Sequence, residues 1–185
     1  NDSTFYALTQ EQHSLDGKII ELRKILADGK PTIVFVHHVE GIVEKIKERL
    51  TYYGYSVGVY YGADKSGLIP FFDKENQVLI ASMSAIGTGF DSLQECCSKA
   101  VFFALPWTYE MRKQCEARIA RTGQINDCEI ITLEGFYEVN HPKISSKDTI
   151  WSWDKEVAKL IHSKREMSDL AVDGEIPSLN SDSLL

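Results

Sequence analysis

Gln114, Arg118 and Arg121 stand at i, i+4 and i+7 in a segment of helical composition, Tyr109 to Arg121. That spacing puts an amide and two guanidiniums on one stripe, while Met111, Cys115 and Ile119 occupy another. A guanidinium binds phosphate oxygens in pairs and keeps its charge at any ordinary pH, so this stripe, stopped by Gly123, has the chemistry of a phosphate clamp. The same spacing also fits a solvated helix face with Glu110 and Glu116 as ion-pair partners. A second candidate is Ser82-Met83-Ser84-Ala85-Ile86-Gly87-Thr88-Gly89-Phe90-Asp91. Here glycine lets backbone N–H groups approach a phosphate, and Asp91 can accept hydrogen bonds from a ribose hydroxyl. An ordinary strand-to-helix turn has the same composition.

The missing partners of such a clamp are equally informative. Gly62 and Gly67 have the spacing of phosphate-loop glycines, but Leu68-Ile69 follows them where Lys and Ser or Thr are needed. No acidic pair follows a strand as a magnesium site of that kind requires. Half a phosphate site without its own triphosphate cradle points to a partner domain that supplies the rest. His37, His38 and the four cysteines show no ligand spacing, so no metal site is expected. Adjacent Cys96 and Cys97 cannot readily bridge each other, and with Cys115 and Cys128 they read as reduced, mostly buried thiols.

Elements that would position these residues recur along the chain. Apolar, β-rich runs at Thr32 to Val36, Ser56 to Tyr61, Gln77 to Ala81, Ala100 to Leu105 and Glu129 to Leu133 alternate with helical patterns. Ile42, Val43, Ile46 and Leu50 form one helical face, and Ile19, Ile20, Leu22, Ile25 and Leu26 another, closed by Asp28-Gly29-Lys30-Pro31. Strands with little alternation are buried on both faces, so a doubly wound α/β sandwich with a parallel sheet is expected from Lys18 to Leu133. Such sheets bind ligands beyond the carboxyl ends of their strands, which directs attention to the loops there. After Gly135 the pattern changes: Asn140-His141-Pro142 breaks the chain, and Trp151 to Ala171 reads as one amphipathic helix carrying Trp153, Val157, Leu160, Ile161 and Met167. The organisation expected is a lead-in over 1–17, a core domain over 18–139, a helical appendage over 140–174 and a flexible acidic tail over 175–185.

Composition sets the outer limits. With 185 residues, 43% hydrophobic and 25% charged, the chain suits one soluble domain with a substantial core. No apolar run approaches the roughly 20 residues needed to cross a bilayer, and no signal peptide opens the chain, so an intracellular protein without membrane contact is expected. Asn1-Asp2-Ser3 begins it without Met, and it is read as part of a longer polypeptide. The net charge of −7 decides nothing about partners, because the last 20 residues hold five of the 27 acids and no Lys or Arg, leaving 22 acidic against 20 basic side chains elsewhere.

On these residues the sequence resembles the C-terminal RecA-like domain of superfamily 2 helicases, in the branch of Swi/Snf-related double-stranded DNA translocases. Gln114-Cys-Glu-Ala-Arg118-Ile-Ala-Arg121-Thr-Gly123-Gln124 is similar to motif VI, QxxxRxxRxGQ. Ser82 to Asp91 is similar to motif V, Pro31 to His38 to motif IV, and Tyr61-Gly62 to the short motif ending the next strand. Leu105-Pro106-Trp107 corresponds to the family's Asp-Pro-x-Trp-Asn-Pro stretch without its Asp and with Trp107-Thr108 for Trp-Asn-Pro. Asp154 to Asp173 resembles the brace helix. Asp91 stands where this branch usually has Asn, and the loop from Gly62 to Phe72 is short and lacks the usual arginine.

The resemblance implies a RecA-like doubly wound sheet with an appended brace-like helix, serving as one of two lobes that enclose ATP. The N-terminal lobe would hold the triphosphate and Mg, and this one would contribute arginines. Arg121 is then the finger, Arg118 a second phosphate contact and Gln114 their orienting neighbour. Gly89 and Asp91 would touch the nucleotide sugar or couple it to DNA. His37, His38, Tyr61, Ser82 and Ser84 lie where relatives meet the DNA backbone, a contact that needs no strongly basic domain. The fragment alone is expected to be inactive, and the whole protein to be cytoplasmic in a bacterial or phage setting or nuclear in a eukaryote. An RNA helicase lobe, a non-catalytic interaction module of the same fold, and a redox role through Cys96-Cys97 are the alternatives.

Overall fold

The computed structural model describes residues 15–37, 40–62, 64–87, 92–138 and 150–173. A helix α1 over residues 15–26 leads into strand β1 (Thr32–Val36), helix α2 (Ile42–Tyr52), β2 (Val57–Tyr60), the short α3 (Leu68–Phe72) and β3 (Val78–Ser82). Short helices α4 (Met83–Gly87) and α5 (Leu93–Cys96) precede β4 (Lys99–Phe102), and α6 (Tyr109–Glu116) connects it to β5 (Glu129–Thr132). Beyond the sheet, β6 (Tyr137–Glu138) pairs antiparallel with β7 (Ile150–Trp151), and α7 (Trp153–Asp173) follows.

The five strands form one parallel sheet in the order β2-β3-β1-β4-β5. Every residue of β1, β3 and β4 is buried, as continuous apolar runs predict for strands covered on both faces. Alternation divides β1 between two cores. Ile33 and Phe35 join α3, α4, α5, α6 and α7 on one face; Val34 and Val36 join α1 and α2 on the other. Phe35 and Phe102, paired across β1 and β4, stack with centroids 5.1 Å apart inside the first core. The chain thus leaves β1 toward one face and β3 and β4 toward the other, the reversal beside which sheets of this kind bind ligands.

Residues 15–17, read from sequence as the end of a lead-in, are helical here: Leu15 is buried and Asp16 pairs with Arg49 at 2.9 Å. Helix α7 docks through Val157 and Ile161. Leu160 and Met167, expected on its apolar face, are exposed, as is Ile20 of α1, because no layer among the described residues covers them. The hairpin β6-β7 was not visible in the sequence pattern, since two-residue strands carry no periodicity. Lys18 is the tie between the chain's early and late helices. Its ammonium sits 2.7 Å from Asp154 of α7 and donates to the Phe103 carbonyl at 2.9 Å, while Asp154 also accepts from the Gly135 N–H at 2.7 Å. The expected acidic tail, 175–185, lies outside the described residues, as do 1–14; Glu166, Asp169 and Asp173 of the same acidic stretch belong to α7.

Candidate functional site

At the carboxyl edge of the sheet, the loops after β1 and β4 bring His37 and Trp107 together, ring centroids 6.5 Å apart at 71°. Trp107 is 42% exposed. The backbone behind it is fixed by Thr108, the extended N-cap of α6, whose hydroxyl accepts the Met111 N–H at 3.3 Å. Ser82, the last residue of neighbouring β3, is buried; its Oγ accepts the Ala85 N–H and lies 3.2 Å from the exposed Ser84 hydroxyl. Tyr61 follows β2 and donates its hydroxyl to Glu44 of α2 at 3.2 Å. Desolvation and then the Glu44 carboxylate push that phenol above its ordinary range. His38, Gly89 and Asp91 lie outside the described residues.

The arginine stripe occupies a different place. Regular helix ends at Glu116; the Arg118 N–H then bonds Cys115 O at 3.2 Å and the Ile119 N–H bonds Glu116 O at 3.2 Å, the tighter spacing of a terminal turn. Gln114 is therefore helical, Arg118 lies in the closing turn and Arg121 beyond it, ahead of Gly123 at φ 97°. Gln114 and Arg121 are exposed and Arg118 is half-buried. Cys115 and Ile119 are buried with Met83 and Ile86 of α4, so the apolar stripe lies where its spacing predicts. Glu116 accepts from Arg112 at 2.7 Å, whose guanidinium also covers the Phe102 ring.

Helix α6 starts at the carboxyl edge and its eight residues run about 12 Å toward the opposite edge. There Gln124 Nε2 donates to the carbonyl of Cys97, two residues before β4 begins. The sequence pattern directed attention to loops beyond the carboxyl ends. The structure divides the candidate residues into a carboxyl-edge group of His37, Tyr61, Ser82 and Ser84 and a group at the far end of α6, which packs beside α4 on one face. Trp107 joins the first group and Gln124 the second; the loop after a buried strand and the last residue of the motif were the signals for them.

The Gly62–Gly67 segment is not a phosphate cradle. A Cβ on Gly67 would stand 2.1 Å from the Val59 nitrogen, and the Gly67 N–H already donates to Val59 O. That glycine is required by close packing on β2. Among the described residues no three His, Cys, Asp or Glu side chains converge as a metal would need. Burial pushes the Cys97 and Cys115 thiols up to about 12 and Cys96 up to about 11, which disfavours the thiolate that disulfide exchange needs. No helix among the described residues is long and apolar enough to cross a membrane.

No protein-family model matches the chain, and no curated protein matches it in sequence. Among solved structures, the crystal structure of the C-terminal part of the Fun30 ATPase domain superimposes with a TM-score of 0.59 at 17% identity, over 93% of this chain and 48% of that one. The likeness shows the fold: a five-stranded parallel α/β sheet of RecA-like type. The chain spans about half the length of the structure it matches.

Proposed function

We propose that this chain is the C-terminal motor lobe of an ATP-dependent DNA helicase or translocase. One observation carries the reading: a RecA-like lobe presents Arg118 and Arg121 beside Gln114, yet its loop with phosphate-loop spacing is closed onto β2. Such a lobe is built to meet a triphosphate held by another. The N-terminal RecA-like lobe would bind ATP and its Mg, the ion supplying charge neutralisation at the phosphates. This chain's part is to bring the Arg121 guanidinium to the γ-phosphoryl oxygens, where negative charge builds in the transition state, with Arg118 as a second phosphate contact and Gln114 orienting both. Gly89 and Asp91 would face the nucleotide sugar. His37, His38, Tyr61, Ser82 and Ser84 would meet the phosphodiester backbone through hydroxyl, imidazole and N–H groups.

The Fun30 likeness supports the lobe assignment, and the Gln-ending run Gln114 to Gln124 supports the DNA branch. Asp91 in place of Asn favours the second reading, an RNA helicase lobe. ATPase assays on the full-length polypeptide separate them: stimulation by double-stranded DNA over RNA is expected, and the reverse order would replace the first reading with the second. The 185-residue chain alone should show no ATPase, since the groups that hold the triphosphate are not in it; turnover by the purified chain contradicts the proposal.

A further inference from the structure

We infer that Gln124 is a positioning residue for Arg121, pinning the turn that carries the arginine to the sheet. Its carboxamide nitrogen donates to Cys97 O at 2.9 Å and to Ile119 O at 3.2 Å, and its oxygen accepts the Asn126 N–H at 3.0 Å. The Gln124 backbone N–H donates to Arg121 O at 3.0 Å. One side chain therefore joins three stretches of backbone: the closing turn of α6, the loop between α5 and β4, and the approach to β5. The anchor is firm. Cys97 is buried, and its thiol faces the carbonyls of Lys99 at 3.0 Å and Pro31 at 3.3 Å, at the amino ends of β4 and β1.

Apolar packing adds little to the turn. Ala120, Arg121, Thr122, Gly123 and Ile125 are all exposed, Ile125 at 93%, so no apolar burial fixes the backbone between Ile119 and Asn126. Gly123, at φ 97°, gives the chain its reversal and adds no side-chain contact of its own. A guanidinium that must meet developing charge is sensitive to small displacements, since about 1 Å of misplacement costs on the order of 10² in rate. The Gln124 amide ties the backbone next to that arginine to the sheet.

The kinetic consequence rests on the proposed role of Arg121, and the test separates the two. In the full-length polypeptide, Gln124→Met keeps length and removes the donors, whereas Gln124→Lys restores a donor toward the two carbonyls. Gln124→Met should lower kcat per folded molecule about ten- to a hundredfold with KM for ATP within about twofold, and hydrogen exchange at residues 121–126 should quicken. Gln124→Lys should recover part of the turnover. Native turnover in Gln124→Met beside an inactive Arg121→Ala protein overturns the pin alone, as does a loss confined to the unfolded fraction. An Arg121→Ala protein with native turnover overturns the functional reading, whatever Gln124→Met does.

Discussion

The amino edge of the sheet and the face beside α6 both carry buried or half-buried cationic side chains, and they differ in how far they enclose them. At the amino edge Lys99 opens β4 with its side chain only 4% exposed, ion-paired to Asp28 and to Glu129 at 3.4 Å and donating to Ile25 O at 3.2 Å. Its ligands come from the end of α1, the following turn and β5, so the lysine closes the bottom of the fold. Beside α6, Arg118 is half-buried and Arg121 exposed, and the neighbouring carboxylate of Glu116 bonds to Arg112. A cation enclosed by its own chain's carboxylates serves stability; the proposed function gives the arginines at the end of α6 a nucleotide outside the lobe as their target.

Substitutions should break that contrast in opposite directions. Arg118→Ala in the full-length polypeptide should lower DNA-stimulated turnover per folded molecule by at least about tenfold, read by ATPase assay. Lys99→Met keeps the aliphatic stem and removes the charge. It should cost about 1–3 kcal/mol, a fall of several degrees in Tm, with kcat per folded molecule unchanged. An unchanged Tm would mean that Asp28 and Glu129 are as well served by water.

A smaller loss is expected at the Lys18–Asp154 pair. Asp154→Asn weakens the tie between α1 and α7 and unsettles the Gly135 N–H, so exchange protection in α7 should drop while the strands keep theirs; uniform protection would show the apolar contacts of Val157 and Ile161 to be sufficient. Acid sharpens the amino-edge case. The hydrogen bond from Lys99 lowers the Asp28 carboxyl below its usual range, against a smaller opposing effect of burial. A depressed folded value means stability that is present above the unfolded pKa of about 3.9 and is lost as pH falls through the folded one. The stability gap between the native chain and Asp28→Asn should therefore close as pH drops through and below that value, measured by urea titration at stepped pH. Least of all should alkylation touch the core: at pH 8 iodoacetamide should leave Cys97 and Cys115 unmodified by mass spectrometry while the chain is folded, given thiols at about 12.

The sheet was legible because burial on both faces leaves a direct trace. Thr32–Val36 is the strand its composition predicts, and the other four shift by a few residues at most at either end. Helix α6 was legible as a start, in the helical composition from Tyr109, and as an apolar face, through Cys115 and Ile119; its early end at Glu116 was not, since Ala117 to Arg121 keep helical composition while the chain is drawn into a turn by Gly123 and Gln124. Arg118 and Arg121 were visible as chemistry but not as a place, because spacing along a helix says nothing of which edge of the sheet its end reaches. The partners of Lys18, Lys99 and Gln124 were invisible: Asp154, Asp28 and the Cys97 carbonyl are 136, 71 and 27 positions away, and pairing over such distances leaves no periodicity.

The central claim, that Arg121 acts on a nucleotide bound elsewhere, is tested most directly by single-turnover hydrolysis in the full-length polypeptide, with ATP and double-stranded DNA saturating. Arg121→Ala should slow the chemical step by on the order of 10³ or more while ATP binding stays within a few-fold. A native rate of the chemical step, or a loss of ATP binding that accounts for the whole defect, would contradict it.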